Sequence, residues 1–97
     1  MLTTQLTPQQ LRVLLRKFRP ALDSDYALLE QHLCQQHWED AARQAHKLLA
    51  ISKLLGMDAL LLLLLQIEAM SPSTQTVTFR HTLQQTYQEQ LTSFTLR

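Results

Sequence analysis

The chain has 97 residues, 45% of them hydrophobic, and a formal net charge of +1. That length supplies one domain, 1–97, able to bury roughly 60–65% of its unfolded surface. The balanced charge excludes a global field for nucleic acid or an anionic membrane. A lone cysteine, Cys34, excludes an intramolecular disulfide.

One glycine and three prolines leave few turns, which argues against a sheet-rich fold and for a small number of long helices. A single glycine also rules out a glycine-rich phosphate loop, and with it nucleotide binding and self-phosphorylation as a kinase. Met1 to Gln5 lacks the basic start and apolar core of a secretory signal. A cytoplasmic location is therefore expected.

Thr7 and Pro8 mark the first helix start, threonine as cap and proline at the first helical position. Leu11, Leu15, Phe18, Leu22, Tyr26, Leu29 and Leu33 then keep one helical phase. Pro20 interrupts this stripe and must lose the hydrogen bond to the carbonyl of Arg16. The preserved phase favours one long, kinked helix; the rival is a break near Arg19, with Asp23 or Ser24 recapping a second helix. Arg12, Arg16, Lys17 and Arg19 are locally basic, but Asp23, Asp25 and Glu30 balance them, so they are expected on a solvated face.

After a short link at Gln36 and His37, the apolar and small residues Trp38, Ala41, Ala45, Leu48, Ser52 and Leu55 recur at steps of three and four. This defines a second helix with one buried stripe, ended by Gly56 in a left-handed stop. Asp58 is expected to cap a third helix containing Leu60 to Leu65 and ending near Met70, before Ser71 and Pro72. The apolar run from Ala59 to Leu65 is far short of the roughly 20 residues a spanning helix needs. It belongs to a core helix, with no membrane insertion. Leucine on every face implies enclosure by neighbours or contact with a partner. Ser73 or Thr74 opens a last helix with Phe79, Leu83, Tyr87, Leu91 and Phe94 on one face. Short links predict an all-α, antiparallel up-and-down four-helix bundle.

The second helix carries His46. At about 100° per residue, His46 falls about 130° from the centre of the buried stripe and should face solvent or a partner. Arg43, Leu49, Ala50 and Lys53 lie three, four or seven positions away on the same face. On spacing alone, an exposed helical histidine is usually a polar surface residue. Cys34 is most simply a small core or boundary residue. His32, His37 and His81 lack ligand spacing, apart from His37 near Glu39 and Asp40, so no metal site is expected.

The segment Ala45-His46-Lys47-Leu48-Leu49-Ala50-Ile51-Ser52-Lys53-Leu54-Leu55-Gly56 resembles the histidine phosphotransfer (HPt) domain of multistep phosphorelays. Members of that family typically carry alanine before the active histidine, an apolar residue two positions after it, lysine at the third, glycine at the fourth and glycine at the tenth. Ala45, His46, Leu48 and Gly56 match; Leu49 replaces the lysine and Ala50 the glycine. The spacing of the first helix extends the similarity over most of the chain.

The resemblance implies a phosphorelay intermediate that exchanges a phosphoryl group between His46 and the aspartate of a response-regulator receiver domain, which can belong to a hybrid sensor kinase. No cofactor is implied for this chain, since the magnesium belongs to the receiver. Arg43, Lys53, Ala50 and Gln44 are the supporting residues; Lys47, Leu49 and Leu54 are expected to meet the partner. Leu49 removes a charge that would offset the roughly two negative charges of a phosphoryl group, so Leu49→Lys is expected to speed transfer. The alternative is a non-catalytic HPt-like helical module that binds a receiver or another protein through the same face.

Overall fold

A computed structural model describes residues 7–95, and side chains through residue 93. The amino-terminal Met1 to Gln5 lies outside these residues, as does the side chain of Phe94. The described chain is an all-α four-helix bundle: α1 (Pro8–Cys34), α2 (Trp38–Leu54), α3 (Asp58–Glu68) and α4 (Val77–Thr95), with a 3₁₀ turn over Pro72–Gln75. Helices adjacent in sequence pack together, and α4 closes the bundle against α1.

Thr7 begins α1 through a capping box. Its hydroxyl accepts from the Gln10 N–H at 3.2 Å, and the Gln10 side chain accepts from the Thr7 N–H at 2.9 Å. Two orphan donors of the first turn are thereby satisfied. α1 continues through Pro20 as a single helix, so no break occurs near Arg19. Pro20 is exposed, and the Arg19 to Asp23 ion pair at 2.8 Å spans it. The buried stripe consists of Leu15, Leu22, Tyr26, Leu29 and Leu33. Arg12, Arg16, Lys17 and Arg19 are all exposed, as a solvated face requires.

The first three helices end alike. Gln36, Gly56 and Met70 adopt left-handed φ values of 62°, 70° and 57°. The next residue's N–H reaches back each time: His37 to the carbonyl of His32 at 2.9 Å, Met57 to Ser52 at 2.9 Å, and Ser71 to Gln66 at 3.1 Å. These are Schellman closures. Only Gly56 was legible as one, because the other two force a side chain into a region that glycine favours.

Two starts differ from expectation. Met57, not Asp58, is the cap residue of α3, and it has no side-chain cap bond; Asp58 is the first helical residue. There its carboxylate faces the positive end of the helix dipole. α4 begins at Val77 rather than Ser73 or Thr74, because Pro72–Gln75 close a 3₁₀ turn first. Thr76 then accepts from the Phe79 N–H at 3.0 Å.

α4 contributes Phe79, Leu83, Tyr87 and Leu91 to the core. Tyr87 stacks on Tyr26 of α1 with centroids 3.7 Å apart, and its hydroxyl donates to Asp23 at 2.5 Å. Burial, reinforced by nearby carboxylates, pushes both phenols well above the usual tyrosine range. The proton is bound more tightly in the folded state, so this contribution is complete below about pH 10 and is lost as pH rises above that value. Tyr26 and Tyr87 are the only tyrosines of the chain. Tyrosinate absorbance at alkaline pH is accordingly expected to appear together with loss of helical circular dichroism, not before it.

At Gly56 an added Cβ would meet nothing within 4 Å, so the cost of substitution is conformational alone. Gly56→Ala is expected to lower the unfolding free energy by about 1 kcal/mol in urea titrations.

Candidate functional site

α2 lies between α1 and α3 and buries Ala41, Ala45, Leu48 and Ser52. The chain reversal at Gly56 then folds α3 back along α2, which carries the end of α3 towards the middle of α2. His46 stands on the open shoulder of α2, its side chain 72% exposed. Its Nδ1 is paired with Oε2 of Glu68, the last residue of α3.

An ionised carboxylate only accepts hydrogen bonds, so Glu68 assigns the ring proton to Nδ1. Nε2 then carries the lone pair, and it makes no hydrogen bond among the described residues. The result is an oriented imidazole with one nitrogen held and the other open.

Around it, Arg43, Lys47, Ala50, Lys53 and Leu54 are exposed. Arg43 is paired with Asp40, three residues back on the same helix. Lys47 and Lys53 form no ion pair among the described residues; Lys53 lies on the His46 face, and Lys47 about 100° round the helix in a groove that Asp25 of α1 also lines. Phe18 and Ala21 of α1 with Lys47, Ala50, Ile51 and Leu54 of α2 line this shallow groove of about 300 Å³. On the α3 side Leu65, one turn before Glu68, is 41% exposed.

Two of the sequence-derived site residues are elsewhere. Gln44 is buried and its amide donates to the Asp25 carbonyl of α1 at 2.9 Å, so it fastens α2 to α1 and does not orient the imidazole. Leu49 is 8% exposed and belongs to the hydrophobic core; it is not a partner contact. Both lie about 70° from the centre of the α2 stripe, on opposite sides. A helix flanked by two neighbours buries a wider arc than one resting on a single surface, and these marginal positions are inside it.

Glu68 is the site residue that sequence analysis missed. It is 22 positions from His46, beyond any helical period, and only the α2 to α3 reversal joins them. Of the two alternatives for the leucine helix, full enclosure does not hold: Leu60, Leu64 and Ile67 are buried, but Leu62 is 62% and Leu65 41% exposed. Cys34 is free and exposed, not a core residue. His32, His37 and Asp40 converge at the α1 to α2 corner, a juxtaposition made by the helix end and not by periodic spacing.

No protein-family model, curated protein or solved structure matches the chain. No helix among the described residues is long and apolar enough to cross a membrane.

Leu49→Lys tests the corrected placement. It removes a buried leucine and brings an ammonium to the core margin, with partial relief by extension of the stem towards water. Unfolding free energy is expected to fall by about 1–3 kcal/mol, measured by urea titration, so any gain in transfer rate would come at reduced stability.

Proposed function

We propose that the protein is a phosphorelay intermediate, accepting and passing a phosphoryl group between His46 and the aspartate of a response-regulator receiver domain. The observation that carries this reading is the exposed His46 ring, held through Nδ1 by Glu68 with Nε2 open. The HPt-like run from Ala45 to Gly56 and the four-helix frame support it.

In the forward step the Nε2 lone pair attacks phosphorus of the receiver's phosphoaspartate. The N–P bond forms as the P–O bond to the aspartate breaks, and that oxygen leaves with the electron pair as a carboxylate. The Nδ1 proton stays against Glu68, whose charge stabilises the imidazolium that develops as nitrogen donates its pair. Lys53, on the same helix face as His46, supplies positive charge at the approach to the phosphoryl group, in place of the lysine that the family carries where Leu49 stands. A receiver surface would rest on the groove of Phe18, Ala21, Ile51 and Leu54 and on exposed Leu65. Ala50 adds one methyl beside the ring and narrows the approach.

A second reading, a non-catalytic HPt-like module that binds a receiver by occupancy, is favoured by one observation. Leu49, at the lysine position, is built into the core, so the cation normally next to the phosphoryl group has no equivalent there.

The deciding experiment mixes the protein with receiver domains phosphorylated by a small-molecule donor and seeks acid-labile, alkali-stable phosphate by mass spectrometry. Label is expected on His46, and His46→Gln should abolish it with unchanged circular dichroism, because the ring is outside the core. Glu68→Ala is expected to slow transfer roughly 10- to 100-fold, the value of a hydrogen bond to a charged group; Glu68→Gln, which keeps an acceptor, should lose less. Label persisting on His46→Gln would overturn the site. Receiver binding without label would establish the second reading.

A further inference from the structure

At the corner between α1 and α2, away from His46, three side chains converge. His32, His37 and Asp40 each place one potential ligand atom so that all lie within 4.8 Å of one another. The backbone builds this arrangement. Gln36 turns left-handed, and the His37 N–H donates to the His32 carbonyl at 2.9 Å. Residues 32 and 37 are thereby locked side by side, with ring centroids 6.2 Å apart. Asp40 follows one helical turn after His37, on the same side of α2.

The three groups have graded environments. His32 is half-buried, its Nδ1 enclosed and without a hydrogen-bond partner. His37 is exposed and Asp40 half-buried. Arg43 engages Oδ1 of Asp40, leaving Oδ2, and Arg43 itself is 68% exposed and free to swing aside. An unsatisfied buried imidazole nitrogen is costly in a purely structural role.

Two neutral imidazoles and one carboxylate, open to solvent on one side, are the donor set of zinc and its first-row neighbours, with a position left for water. Metal–ligand bonds of about 2.0–2.1 Å in a tetrahedron require donors roughly 3.4 Å apart. Side-chain rotation inward closes the difference, since the exposed His37 is unconstrained by packing.

We propose that His32, His37 and Asp40 bind a divalent first-row transition metal of the zinc class, which pins the last turn of α1 to the first turn of α2. The site is independent of the phosphoryl acceptor: Asp40 and His46 are separated by about 9 Å along α2 and roughly 120° around it.

The test titrates the untagged full chain with Zn²⁺ by calorimetry and with Co²⁺ by visible absorption. One equivalent is expected to bind at micromolar or lower concentration, with Co²⁺ giving the intense bands of low coordination number. His37→Gln and Asp40→Asn should each weaken binding by at least about tenfold with unchanged circular dichroism, and His81→Gln should not. Saturating Zn²⁺ is expected to raise the melting temperature of the parent chain and not that of His37→Gln. His32→Ala can perturb packing, so the exposed His37 and the half-buried Asp40 carry the test. Absence of binding below millimolar metal, retention of full affinity in His37→Gln, or loss of binding in His46→Gln would overturn the assignment.

Discussion

The burial of one narrow stripe on α2 is the constraint on which the rest of the molecule depends. Ala41, Ala45, Leu48 and Ser52 are each at most 1% exposed, and three of the four are small. Small side chains let α1 and α3 approach the α2 backbone from both sides, so the helix is fixed in rotation as well as position. A turn of α2 about its axis would bury His46 and expose the stripe. The Gln44 amide bonded to the Asp25 carbonyl adds a polar lock to that rotation, since a buried amide left without its partner costs free energy.

Helix termination does the second part of the work. Three successive Schellman closures turn the chain, the first two within links of three residues and the third ahead of a longer link that holds the 3₁₀ turn, and two of them use Gln36 and Met70 in place of glycine. Each non-glycine left-handed residue costs about 1 kcal/mol, which the core must offset. In return the reversals set what meets what: the Gly56 turn brings Glu68 to His46, and the Gln36 turn brings His32 to His37. These two polar constellations are thus products of helix ends.

Charge is distributed in keeping with that division. Near His46, Glu68 holds the ring and Lys53 forms no ion pair among the described residues, which leaves a surface able to meet an anion. At the start of α2, Glu39 and Asp40 occupy the first turn, where acidic groups complement the helix dipole. Asp40 is available there both to Arg43 and to a cation held with the two histidines.

Sequence by itself determined that four helices form, most of the buried stripes of α1, α2 and α4, the capping of α1 at Thr7, the stop at Gly56 and the outward shoulder position of His46. Those features follow from residue types and from a period of 3.6, both local properties of the chain. Tertiary structure alone decided that Gln44 and Leu49 are buried, that Glu68 pairs with His46, that Leu62 and Leu65 remain exposed, and that His32, His37 and Asp40 converge. How wide an arc of a helix is buried depends on how many neighbours flank it. Which distant side chains meet depends on where each helix stops, and two of those stops lie at residues whose type gives no sign of a left-handed turn.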